Sequence, residues 1–123
     1  MTRPAEIAGV RALYRLAPHG STILAVTPQI AWRFTDIGTY NYLPYNLDEF
    51  AFRDVPAIVR LFESNRRGGF VIITSSQIIY GQQTYGLPLN WGAQAEAALE
   101  RSGHFRRVYV NSNTQILQYQ KAP

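Results

Sequence analysis

The chain has 123 residues, of which 46% are hydrophobic and 16% are charged, so it can bury one core and is not wholly disordered. It contains no cysteine, which excludes a disulfide framework, a cysteine zinc site and a thiol nucleophile, and its two histidines leave little material for a metal site. The net charge of +4 comes from scattered basic residues and not from a block of about five or more, which argues against a nucleic-acid-binding tail.

The first part of the chain predicts a helix followed by a buried strand. Residues 5–17 carry apolar side chains at helical spacing and are followed by a Pro-His-Gly turn that ends a helix. The predicted buried face of this helix comprises Ile7, Val10, Leu13 and Tyr14. Residues 21–27 are short, apolar and β-branched, which is typical of a buried strand. Thr27 would cap a short helix over residues 29–34.

The middle of the chain begins with an aromatic segment, residues 35–52, which lacks a helical period. Within it, residues 39–43 predict a short strand and the next six residues predict a loop. Asp54 would cap a helix that ends between Asn65 and Gly69. The predicted apolar face of that helix comprises Val55, Ile58, Val59 and Phe62. Residues 69–74 then predict a second buried strand.

The last part of the chain predicts two helices and a hairpin. Ser75 or Ser76 would cap the first helix, which extends to about Gln83. Gly103 would end the second. The apolar face of that second helix comprises Trp91, Ala95, Ala98 and Leu99. Residues 105–120 predict a hairpin that turns at 111–113.

Alternating strands and helices predict one domain over residues 1–123 of the α/β class. We expect a small sandwich with a mostly parallel sheet flanked by helices. The strands of the C-terminal hairpin are too close in sequence for a crossover, so they must pair antiparallel, at the edge of the sheet.

Polar residues follow both buried strands at the point where each strand meets a helix. Ligands of open α/β sheets bind beyond the carboxyl ends of the strands, and N–H groups at a helix start attract anions. Thr27, Ser75 and Ser76 are therefore candidates for binding a small anion or a nucleotide. The alternative interpretation is that they only cap helices, since no glycine-rich phosphate loop follows either strand.

The aromatic segment is a second candidate site. Aromatic faces beside amide and carboxylate groups are suited to binding a sugar, and Tyr42, Tyr45 and Asp48 are the candidate residues. The alternative is that these rings fill the core or cover loop backbone. No spacing in the sequence predicts a catalytic residue, a metal ligand or a cofactor.

Five stretches of the chain match the layout of a known kind of domain. They are APHGSTIL at 17–24, GFVIIT at 69–74, AEAALE at 95–100, and FRRVY at 105–109 with ILQY at 116–119. In these features the chain resembles the soluble C-terminal domain of multi-span membrane glycosyltransferases that use lipid-linked sugar donors. That group includes the protein-mannosyltransferase and arabinosyltransferase-like proteins.

The resemblance implies an extracytoplasmic domain, tethered by a membrane segment that precedes residue 1, with residues 1–18 as the entry helix. The catalytic aspartates of that group lie in loops between membrane helices, which this chain lacks. The isolated domain is then expected to be non-catalytic. It would bind or position a glycan or a lipid-linked acceptor, or support the membrane-embedded part of the same chain.

The alternative is a free-standing cytoplasmic α/β protein that binds a small anionic ligand or nucleotide at its strand ends. It is motivated by Thr27, Ser75 and Ser76 at helix starts. The cytoplasmic location is expected because a signal peptide or a span of about twenty apolar residues is not visible. A third interpretation is nucleic-acid binding through Arg66, Arg67, Arg106 and Arg107, but no nucleic-acid-binding motif accompanies them. The sequence does not define the acceptor or the oligomeric state.

Overall fold

The structure is a computed structural model that describes residues 4–25, 41–43, 55–63, 68–88 and 90–120. Its elements in chain order are α1 (Pro4–Leu16), β1 (Thr22–Ala25), β2 (Asn41–Leu43), α2 (Val55–Glu63), β3 (Gly69–Thr74), α3 (Ser75–Tyr85), α4 (Trp91–Arg101), β4 (Phe105–Asn111) and β5 (Thr114–Tyr119). The predicted helix at 29–34, the predicted loop after residue 43 and the predicted cap at Asp54 lie outside these ranges.

The described strands form one five-stranded sheet in the order β2-β1-β3-β5-β4. β1 pairs in parallel with β2 and with β3, whereas β5 pairs antiparallel with β3 and with β4. The α/β class and the antiparallel hairpin at the edge are therefore confirmed. The sheet is mixed, and not mostly parallel as expected, because the hairpin joins it through its second strand: four strands point the same way, but two of the four pairings are antiparallel.

The sheet is covered on both faces, and the alternation of side chains along β3 divides the core. Phe70 and Ile72 face α1, where they form one apolar cluster with Leu13. Val71 and Ile73 face α2 and α4 in a second cluster. All six residues of β3 are buried, as expected for a strand with helices on both sides.

The buried face of α1 differs from the predicted one. Ile7 is 39% exposed, whereas Glu6 is 1% exposed, so the prediction that Ile7 belongs to the buried face is wrong. Two contacts turn the helix this way. The carboxylate of Glu6 is hydrogen-bonded to α3, and Gly9 lies so close to Thr114 that a Cβ there would approach its side chain to 2.5 Å.

The other helices follow their apolar patterns more closely. In α2, three residues of the predicted face, Ile58, Val59 and Phe62, are buried, and the fourth, Val55, is half-buried. Arg60 and Glu63 are exposed. In α4, the predicted face is buried except for the half-buried Ala98. Gly103 follows this helix with a positive φ of 79°, which suits glycine at a helix end. Within the described ranges, no helix is long and apolar enough to cross a bilayer.

Candidate ligand site at the carboxyl edge of the sheet

The order in which strands are added to the sheet reverses between the parallel strands β1 and β3. We define the strand-end edge as the carboxyl ends of these two strands with the first turn of α3. β2, which follows β1 in the chain, is added to the sheet on one side of β1. β3 and the hairpin that follows it are added on the other side. Such a reversal of strand order leaves a crevice between neighbouring strand ends, and ligands of open α/β sheets bind there.

The first turn of α3 is fixed by Thr74 and by the β4–β5 turn. The N–H of Gln77 donates to Oγ1 of Thr74 at 3.3 Å, so Thr74 caps the helix, one residue before the two predicted caps. Ser75 is bonded to Asn113 twice: its N–H donates to the carbonyl oxygen at 2.9 Å and its hydroxyl to Oδ1 at 2.8 Å.

Ser76 binds the side-chain carboxylate of Glu6, which belongs to α1 of the same chain. Its N–H donates to Oε1 of Glu6 at 3.1 Å and its hydroxyl donates to Oε2 at 2.9 Å. The carboxylate therefore lies at the positive end of the α3 dipole. Sequence reasoning missed Glu6, although its spacing from Val10 and Leu13 places it on the same face of α1.

The first turn of α1 is attached to the same edge of the sheet. The carbonyl oxygen of Ala5 accepts hydrogen bonds from Nδ2 of Asn111 at 2.8 Å and from Oγ1 of Thr114 at 3.4 Å. Together with Glu6 and Gly9, this contact brings the start of α1, the start of α3 and the β4–β5 turn together.

Gln77 lies at this edge, as its position shortly after β3 predicts, although it is not among the three candidate anion-binding residues. Its side chain is fully buried, and neither atom of its amide has a hydrogen-bond partner in the part of the chain that the structure describes. The neighbouring residue Ile78 anchors α3 to α4, because its carbonyl oxygen accepts from Nε1 of Trp91 at 2.9 Å.

The structure brings together two of the predicted site residues, Ser75 and Ser76. Tyr42 lies in β2, where its backbone pairs in parallel register with Ile23, and its ring is outside what the structure describes. Thr27, Tyr45 and Asp48 also lie outside the described residues, so the predicted sugar-binding aromatic surface remains a prediction. Among the described residues, no group of three or more His, Cys, Asp or Glu side chains could hold a metal.

A half-buried ion pair lies away from this edge, between α4 and β4. Oε2 of Glu96 is 3.8 Å from Nη1 of Arg107, a separation too long for a strong hydrogen bond. Burial raises the pKa of Glu96, Arg107 opposes that rise, and Glu100 adds to it. The pair is peripheral, and its arginine side chain is about half exposed.

No family model, curated protein or solved structure matches the chain. The residues of the strand-end edge and the resemblance described above are therefore the basis for inferring a function.

Proposed function

We propose that the chain is a non-catalytic accessory domain of a membrane glycosyltransferase-like protein, and that its strand-end edge binds or positions a neutral glycan or lipid-linked acceptor. The observation that carries the choice of a neutral ligand is the Glu6 carboxylate at the start of α3. It occupies the position that an anionic ligand would take.

The electrostatics of this edge support an uncharged ligand. An incoming phosphate would have to displace Glu6 or lie beside it, and two like charges 4 Å apart in a partly buried setting repel by about 4 kcal/mol. A sugar, whose hydroxyl groups are uncharged donors and acceptors, meets no such repulsion. It can still use the polar groups that line the edge.

The attachment of α1 supports an acceptor-positioning role. The first turn of α1 is fixed at the strand-end edge by Glu6 and by the contacts of Ala5. A membrane segment preceding residue 1 would then leave the domain at this edge. The ligand crevice would consequently face the membrane-embedded part, where a lipid-linked acceptor is accessible.

An amide NMR titration of the 123-residue chain tests this proposal. Mannobiose and arabinobiose are expected to shift the amide signals of Ser75, Ser76 and Asn113, whereas inorganic phosphate is not. The matched variants are Ser76→Ala at the edge and Ser102→Ala at the end of α4, and only the first should change the response. Phosphate shifts without sugar shifts, or sugar transfer from a lipid-linked donor by the domain alone, would contradict the proposal.

The second candidate function is the binding of a small anion or nucleotide by a free-standing protein. The observation that favours it is the chemistry of Ser76, whose N–H and hydroxyl already hold a carboxylate. The variant Glu6→Gln separates the two functions because it removes the charge and keeps the shape. If the edge is an anion site regulated by Glu6, this variant should bind phosphate where the wild type does not.

A further inference from the structure

We propose that Gln77 is the hydrogen-bonding residue of the crevice between the carboxyl ends of β1 and β3, and that its amide binds two neighbouring hydroxyl groups of a saccharide. This inference rests on the proposed function for the class of ligand. It assigns the recognition to a residue that the sequence did not mark as a site residue.

The amide of Gln77 is buried without a partner among the described residues. The side chain is 0% exposed, and both its Nε2 and its Oε1 are without a hydrogen-bond partner in the described ranges. Buried polar groups in folded proteins are nearly always hydrogen-bonded, because an unsatisfied one loses its hydration without replacement. An unpaired glutamine amide at this buried position weakens the empty domain, and a bound group from outside the described residues that pairs with it would remove that cost.

The position of Gln77 on α3 directs its side chain away from the hairpin and toward β1. Successive residues of a helix are about 100° apart, so Ser75 and Gln77 lie about 200° apart, on nearly opposite sides. Ser75 contacts Asn113 in the turn beyond β5, on one side of β3. Gln77 therefore faces the other side of β3, toward β1, where the strand order of the sheet reverses.

The neighbours of Gln77 on α3 support this direction. Ser76 contacts Glu6 of α1, which covers one face of the sheet. Ile78 packs against Gly92 of α4, which covers the opposite face. Gln77 lies between them, so it points along the edge of the sheet and not onto either face.

The chemistry of the amide defines the ligand. It presents one donor and one acceptor side by side, and two adjacent sugar hydroxyls can satisfy both, since each hydroxyl donates and accepts. A phosphate group without a proton, such as a phosphodiester, offers only acceptors and would leave Oε1 of Gln77 unsatisfied. Because the side chain is closed to bulk solvent, binding also requires a local opening and should be slow compared with ordinary association.

The test compares Gln77→Leu with Gln83→Leu, which changes an exposed glutamine of the same helix. Mannobiose and arabinobiose are titrated into each variant of the 123-residue chain, with adenosine as a second probe that also carries a donor beside an acceptor. We expect Gln77→Leu to bind the sugars about tenfold more weakly, and Gln83→Leu to bind them as the wild type does. The thermal midpoint of Gln77→Leu without ligand should equal or exceed that of the wild type.

Each other outcome overturns the inference in a recognisable way. If Gln77→Leu and Gln77→Met both bind sugar as the wild type does, Gln77 has no role and the proposed function stands. If both variants lower the thermal midpoint and their sugar affinity is unchanged, the amide is structural. A Gln77-dependent response to adenosine and not to sugars would overturn the ligand class. If the wild type binds no sugar, the proposed function fails as well.

Discussion

Replacing Glu6 by Ala tests whether this carboxylate holds α1 on α3. The variant loses two hydrogen bonds, of 3.1 and 2.9 Å, from Ser76 to a charged acceptor. Such bonds contribute about 1.5 to 3 kcal/mol each. The loss is smaller than their sum, because Ser76 is half-buried and can be rehydrated, and because the carboxylate no longer has to be desolvated. We expect a decrease of about 2 to 3 kcal/mol in the free energy of unfolding.

Urea denaturation followed by far-ultraviolet circular dichroism measures this decrease, and thermal unfolding should show a midpoint lower by about 10 °C. Glu63→Ala is the matched control because Glu63 is exposed on α2, and it should change stability by less than about 0.5 kcal/mol. Glu6→Gln keeps an acceptor for the Ser76 N–H and should lie between the two. If Glu6→Ala is no more destabilising than Glu63→Ala, the carboxylate does not hold these helices together.

Three further predictions concern other contacts. Gly9→Ala should destabilise by about 1 to 3 kcal/mol, because the new methyl group meets Thr114, and Gly9→Ala combined with Thr114→Ser should recover part of this loss in the same urea assay. Trp91→Phe should lower the free energy of unfolding by about 1 to 3 kcal/mol, because the carbonyl oxygen of Ile78 loses its donor; an unchanged denaturation midpoint would show that this bond contributes nothing. Burial raises the pKa of Glu96, so its ionisation weakens the fold progressively as the pH rises from the usual range for glutamate through the raised pKa, and Glu96→Gln should stabilise the domain at neutral pH. This advantage should shrink as the pH falls through the raised pKa and should be absent below the usual range for glutamate; an advantage that stays constant from acid to neutral pH would contradict it.

The parts of the fold that the sequence predicts well are those with local signals. Residues 69–74 form β3 with the predicted bounds, because an apolar β-branched run between glycine and serine has few alternatives. The apolar spacing of α2 likewise places Ile58, Val59 and Phe62 in the core. In both cases the information lies within about ten residues of the element itself.

The parts that could not be predicted depend on residues far apart in the sequence. From the sequence alone, Glu6 is expected to be exposed, because it is acidic. Its hydrogen-bond donors come from Ser76, which lies 70 positions later in the chain. The sequence of the hairpin does not indicate which of its strands contacts β3. It therefore does not predict that β5 lies between β3 and β4. For the candidate site, the sequence placed Ser75 and Ser76 correctly at a helix start, but their partners, and the direction of Gln77, require the folded chain.

The contact between α1 and the β4–β5 turn also has a consequence for how the chain acquires its structure. The bonds from Asn111 and Thr114 to the carbonyl of Ala5 span 106 and 109 of the 123 positions. Contacts of such long range make folding slow, since a large loop must close before they form. During synthesis, α1 can form these contacts only after the β4–β5 hairpin has left the ribosome. Until then the apolar face of α1 is available to chaperones.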